Sequence, residues 1–311
     1  MKNHFEKYLN FYAEKGPWKV IARSPNGIRN AVVIPALAEY PEILETLHSL
    51  ALNDPEELKR TLVVCVVNNR PYPHVTEEAI TNNRDTISML DALMQRSITN
   101  IGEHKNAACI QDILDSNIRL AYVDASSPGF ELPANGGVGL ARKIGMDFCL
   151  PLFKDRDVES NLLFSLDADT LVEPNYLKVA VRHFRRRNRM AAVFSFLHRI
   201  SNDRSVQEAI DFYESYLRYY VIGLYYANSP YAFHTIGSTI VSSAEGYVTV
   251  RGIPKRLAAE DFYFLNKLAK IGPIGHISET TVFPSPRLSA RTPFGTGNKI
   301  GELIQKDEME D

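Results

Sequence analysis

Residues 61–67 (TLVVCVV) restrict this chain more than any other stretch, being seven consecutive positions without a charge, an amide, a glycine or a proline. A short β-branched run with no polar alternation predicts a strand buried on both faces, as strands of parallel sheets are. Asn68, Asn69, Arg70 and Pro71 end it. Upstream, residues 30–35 (NAVVIP) read as a second strand, stopped by Pro35, which has no N–H for a ladder. Between them, Ile43, Leu44, Leu47 and Leu50 recur at helical spacing, with Pro41 suited to a first turn. Strand, helix and strand in this order make a right-handed βαβ unit of a parallel sheet.

The alternation continues. Residues 72–117 are more polar, helical at 86–93, and read as an elaboration between core elements. A strand is expected at 118–123, a helix at 138–149 and a strand at 161–166, the last ending on Asp167 and Asp169. Beyond it the pattern predicts helices at 175–187, 206–226 and 259–270, a strand at 190–197, and short strands at 239–242, 247–250 and 280–284. The tail from Pro284 reads as loop, and 307–311 as a disordered acidic end. This is an α/β, doubly wound pattern, Rossmann-like, with helices on both faces of a mostly parallel sheet. With no repeat or low-complexity linker, residues 1–306 are expected to form one domain. Ligands of such sheets bind beyond the carboxyl ends of the strands, which points to Pro35 and its loop, to Asn68 and Asn69, and to Asp167 and Asp169.

Composition narrows the function classes. Lys+Arg 35 against Asp+Glu 37 gives a net charge of −2, so no overall field favours nucleic acid. Cys65, Cys109 and Cys149 form no CxxC pair and no metal-ligand spacing, and read as reduced thiols of a cytoplasmic protein. The first twenty residues carry charges throughout and lack the apolar core of a signal peptide. No window approaches the roughly eighteen apolar residues of a membrane span. A soluble protein is expected.

Two motifs carry chemistry. Asp167 and Asp169 stand one residue apart at a strand end, where both carboxylates can reach one region. Hard oxygen ligands of this kind suit Mg²⁺ or Mn²⁺. The pattern also occurs at Asp155 and Asp157, where no apolar strand precedes it, so a solvated turn is the competing reading. Glu260 and Asp261 open a helix whose core face is Phe262, Leu265 and Leu268. Carboxylates there complement the helix dipole, or serve as a general base for an acceptor hydroxyl.

In order, these features resemble the family 2 glycosyltransferases with the GT-A fold. The matching segments are VIPALAE at 33–39, VVNN at 66–69, GVGLAR at 137–142, LDAD at 166–169 and AEDF at 259–262. Together they span residues 30–283. The resemblance implies a nucleotide-sugar-binding half over about 30–170 and an acceptor-binding half with a C-terminal lid over about 171–306. It implies that Pro35, Ala36, Glu39, Asn68, Asn69, Arg142 and Asp167 meet the donor, a UDP- or GDP-linked hexose. Asp169, with Asp167, would hold Mn²⁺ or Mg²⁺, and Asp261, with Glu260 nearby, would deprotonate the acceptor and invert the anomeric carbon. Asn68 and Asn69 replace the family's usual aspartates, and an amide donates as well as accepts, which leaves the base open. The family's metal-binding histidine has no counterpart in 280–284, and His276 comes slightly early.

Residues 285–299 set Arg287, Arg291 and Lys299 among Gly295 and Gly297, as a phosphate-binding lid would. A solvated tail is the alternative. The basic stretch 182–189, including Arg185, suits a helix C-terminus, or contact with anionic lipid that would serve a lipid-linked acceptor. A carbohydrate or small-molecule acceptor is equally open. Tyr213, Tyr216, Tyr219, Tyr220, Tyr225, Tyr226 and Tyr231 are candidates for an acceptor groove or for core packing. The competing functions are a retaining GT-A transferase, a nucleotidyltransferase and a degenerate GT-A binding module. The absence of glycine from residues 35–40 disfavours the second, and the presence of Asp169 and Asp261 the third.

Overall fold

The computed structural model describes residues 2–153, 161–186, 189–287, 297, 299–301 and 303–304. Its strands are β1 (Val20–Ala22), β2 (Asn30–Ala36), β3 (Thr61–Asn68), β4 (Arg119–Ala125), β5 (Leu162–Ser165), β6 (Leu171–Val172), β7 (Ala191–Phe196), β8 (Ile240–Ser243) and β9 (Gly275–Phe283). They form one sheet in the order β1-β4-β3-β2-β5-β8-β7-β9-β6. The central run β4-β3-β2-β5 is parallel throughout. β8 joins it antiparallel, and β7 and β9 are parallel to each other. The helices are α1 (Lys2–Phe11), α2 (Ile43–Ala51), α3 (Pro55–Arg60), α4 (Glu77–Gln95), α5 (Ala107–Asp115), α6 (Val138–Cys149), α7 (Tyr176–Arg186), α8 (Arg204–Tyr226), α9 (Ala244–Thr249) and α10 (Glu260–Ala269).

The apolar run at 61–67 is the expected strand, and every residue of β3 is buried. Alternation along β2 divides the core between two layers. Val32 and Ile34 pack with Leu47, Leu50 and Phe164 on one face, and Ala31 and Val33 with Leu140, Ile144 and Leu265 on the other. Helix α6 lies directly on the sheet at Gly145, where a Cβ would come within 2.4 Å of Val33 Cγ1 and 2.8 Å of Val66 Cγ2. No helix among the described residues is long and apolar enough to cross a membrane, and the three cysteines are free.

Three expectations are corrected. Residues 247–250 do not form a strand, because Ser243 accepts a hydrogen bond from Gly246 N at 2.9 Å and caps α9. Tyr247 is then buried, donating to Asp147 Oδ1 at 2.7 Å. The tail beyond Pro284 is not all loop, since residues 297, 299–301 and 303–304 are helical. There Ile300 is buried against Ala209 and Ile210 of α8. The helix expected at 86–93 is the centre of the longer α4, capped by Thr76. The Asp155 and Asp157 pair and the 307–311 end lie outside the described residues.

Gly145→Ala should push α6 off the sheet and cost about 1–3 kcal/mol. A lowered denaturant midpoint checks it, and an unchanged midpoint would contradict the close approach.

Candidate functional site

The carboxyl ends of β2, β3 and β5 border a cavity of about 700 Å³. Pro35, Glu39, Asn68, Asn69, Asp167 and Asp169 line it from these strand ends, and Arg142, Glu260, Asp261 and Arg287 from later elements. Ala36 is not among them, because its side chain faces the core. The carbonyl of Ala36 accepts from Asn68 Nδ2 at 3.1 Å.

Arg142 organises the far wall. It is only 4% exposed and donates from Nε to Glu260 Oε1 (2.9 Å), from Nη1 to Ser165 Oγ (2.6 Å) and from Nη2 to Asp167 Oδ1 (2.6 Å). Burial alone would favour its neutral form, but the charges of Asp167, Glu260 and Asp261 more than reverse that and keep it protonated. The glycines before it explain its position. A Cβ on Gly137 would lie 2.8 Å from Leu257 Cα, and one on Gly139 2.6 Å from the Pro254 carbonyl. Only glycine lets α6 start so close to the 254–257 loop that leads into α10. With each guanidinium nitrogen bonded to a protein group, Arg142 holds Asp167 and Glu260 in place.

Glu260 is therefore more than a dipole complement. It is 4% exposed and paired. Asp261 Oδ1 accepts from Phe262 N at 2.7 Å, while burial and then the neighbouring Glu260 charge raise its carboxyl to about 7. Across the cavity, Arg287 Nη2 donates to both oxygens of Glu39 (2.6 and 2.7 Å), and its Nε lies 2.9 Å from Asp169 Oδ2. Burial raises the Asp169 carboxyl to about 6; Arg287 opposes this, and the charges of Asp167 and Glu39 add to it. The Asp167–Asp169 turn is held from below by Thr46 of α2, whose hydroxyl donates to the Ala168 carbonyl at 2.8 Å.

Among the described residues, no group of three or more His, Cys, Asp or Glu converges where a metal ion could sit. The carboxylates of Asp169 and Asp167 are nonetheless the oxygen donors that Mg²⁺ and Mn²⁺ prefer. They fit such an ion if ligand oxygens complete its shell. His276 is exposed on β9, within 3.1 Å of Ser195 Oγ, and does not line the cavity.

Sequence reasoning missed the role of 70–117. Asn82 and Asn83 of α4 clamp the strand-end loops. Asn83 Oδ1 accepts from Ala38 N (2.9 Å), and its Nδ2 donates to Asn69 Oδ1 (2.9 Å) and the Asn68 carbonyl (3.2 Å). Asn82 exchanges two hydrogen bonds with the backbone of Tyr40. Two adjacent asparagines on a polar helix were the available signal.

Of the proposed lid, Arg287 and Gly297 border the cavity, Lys299 is exposed, and Arg291 lies outside the described residues. Arg185 shares a cleft with Asn30 and Leu162, the first residues of β2 and β5. That is the opposite edge of the sheet from the cavity. The tyrosines do not enter the core: only Ala209, Ile210 and Glu214 of α8 are buried. Tyr213 borders this cavity, whereas Tyr225 and Tyr226 are 78% and 88% exposed.

Arg142→Met should leave Glu260 buried without its counter-charge and cost about 3–5 kcal/mol. Chemical denaturation measures this, and adding Glu260→Gln should restore part of the loss.

No protein-family model matches the sequence, and no curated protein matches it. Solved structures do match. S. aureus TarS 1-349, in complex with UDP-GlcNAc, is similar over 90% of this chain and 66% of that one, at 14% identity and a TM-score of 0.50. The mannosyltransferase PcManGT from Pyrobaculum calidifontis, in complex with GDP-Man and Mn²⁺, aligns over 90% of this chain and 65% of that one, at 18% identity and a TM-score of 0.47. The chain spans slightly less than two thirds of the length of each. At 14% identity the likeness to TarS is one of fold, and with the parallel central sheet it shows that this chain has a GT-A-like α/β fold.

Proposed function

We propose that the chain is a metal-dependent glycosyltransferase that moves a hexose from a UDP- or GDP-linked donor to an acceptor hydroxyl, with inversion. One observation carries the reading: Asp167 and Asp169 from the end of β5 and Asp261 from the first turn of α10 line the same cavity. Its volume of about 700 Å³ suits a nucleotide-sized ligand. In this reading residues 1–306 act as one unit, with the donor half before about residue 171 and the acceptor half after it, in a cytoplasmic protein.

The nucleobase would lie against Asn68 and Asn69, near Pro35. Asp167, held by Arg142, would accept from ribose. Asp169, with Asp167, would hold Mn²⁺ or Mg²⁺; when bound, the ion neutralises charge on the leaving diphosphate. Arg287 would exchange Glu39 and Asp169 for diphosphate oxygens, as a guanidinium fork readily does. The acceptor hydroxyl would attack the anomeric carbon as the sugar–phosphate bond breaks, and its proton would pass to Asp261. A carboxylate raised to about 7 is a stronger base than an ordinary aspartate and is still largely ionised just above neutrality.

Calorimetric titration with UDP and GDP, with Mn²⁺ and after chelation, tests the donor site. Metal-dependent binding of one nucleotide is expected, and its loss in Asp169→Ala with an unchanged circular dichroism spectrum. Binding of neither nucleotide would sink the proposal. Asp261→Asn should bind donor normally and turn over roughly 10²-fold or more slowly. Because the base must be deprotonated, wild-type kcat should fall as pH drops through about 7. A flat profile, or full turnover in Asp261→Asn, would remove Asp261 from the mechanism.

A further inference from the structure

A second cavity, of about 760 Å³, adjoins the first and shares Tyr213, Thr235, Ile236 and Phe262 with it. Phe262 directly follows Asp261, so the two spaces meet beside the carboxylate assigned as base. Their charges differ sharply. The first is lined by five carboxylates, Glu39, Asp167, Asp169, Glu260 and Asp261, against Arg70, Arg142 and Arg287. The second has no carboxylate among its described lining residues, but has Arg256, Lys267 and Lys270.

None of these three cations forms an ion pair among the described residues. The Arg256 guanidinium lies over the Tyr263 ring, 3.7 Å from its centroid. Lys267 donates to the Gly252 carbonyl at 2.9 Å. Burial, followed by the charges of Lys143 and Arg251, pushes its ammonium down to about 8. An anion beside it would relieve that repulsion. Tyr220, Tyr231 and Phe233 supply aromatic surface to the same cavity. Cations without counter-charges in a recess attract an anion, and aromatic rings with polar tips offer apolar faces beside a hydrogen-bonding edge.

We infer that the second cavity is the acceptor site and that the acceptor is an anionic saccharide, bearing a phosphate or carboxylate. Its ring packs on the tyrosines, its anion meets Arg256, Lys267 and Lys270, and its attacking hydroxyl reaches Asp261 past Phe262. This deepens the proposed function and rests on it.

The test uses the full chain with Mn²⁺ and whichever of UDP and GDP binds. Glucose, glucose 6-phosphate and glucuronic acid are titrated separately, and phosphatidylglycerol vesicles are tested by co-sedimentation. At least one anionic sugar should bind about tenfold or more tighter than glucose, the worth of a charge-assisted contact. Arg256→Gln/Lys270→Gln, at two exposed positions, should sharply reduce that preference and leave nucleotide affinity unchanged. Lys267 stays in place, because it also holds the Gly252 carbonyl. Equal affinity for all three sugars, or a preference undiminished by the double substitution, would overturn the inference while the donor reading stands. Vesicle binding lost in the double variant, with no binding of soluble anionic sugars, would overturn it in favour of a lipid surface. Failure of both nucleotides to bind would overturn the function and this inference together.

Discussion

The buried guanidinium of Arg142 is the constraint on which the rest of the site depends. It joins the end of β5, the start of α6 and, 118 positions on, the first turn of α10, through Ser165, Asp167 and Glu260. A charge so deeply enclosed is tolerated only when its donors are matched. The carboxylates are held as firmly as the cation. Asp167 is aimed at the cavity from a partly exposed position, and Asp261 sits beside Glu260, which Arg142 pairs at 2.9 Å. Gly137 and Gly139 make this junction sterically possible.

A second layer of order shapes the opposite wall. Arg287, from the segment after β9, bridges Glu39 and Asp169 and thereby neutralises part of a strongly acidic recess. Beneath it, α4 uses Asn82 and Asn83 to hold the loops after β2 and β3. Polar side chains clamp these turns because the strands end there and their ladders no longer satisfy the backbone groups. The neighbouring space beyond Phe262 carries the opposite charge. The two adjoining cavities thus differ in character, one acidic and the other basic and aromatic.

Much of this was legible in sequence, because burial leaves a signature in residue type. The runs at 30–35 and 61–67 became β2 and β3, and the spacing after Gly137 gave the bounds of α6. Position at a strand end also marked Asp167 and Asp169, which line the cavity. Legibility failed where the deciding contact is distant or brief. Residues 247–250 are β-branched and aromatic, as strands are, but a hydrogen bond from Gly246 N to Ser243 Oγ caps a helix there. Residues 297–304 look solvated, yet Ile300 finds a partner on α8. The tyrosines of α8 have the periodicity of a core helix, and nothing local indicates that most of that helix is left uncovered.

The sequence by itself determined the central strands β2, β3, β4 and β5, the two-faced burial of the sheet, and which carboxylates would stand at strand and helix ends. These follow from hydrophobic period and turn chemistry, which act over a few residues. Only the tertiary structure decided which charges meet: Arg142 with Glu260, Arg287 with Glu39 and Asp169, and the Lys267 side with no carboxylate among its described lining residues. Charge pairing depends on distances of a few ångströms between residues that lie up to 248 positions apart in the chain. No local pattern encodes such distances; the packed sheet sets them.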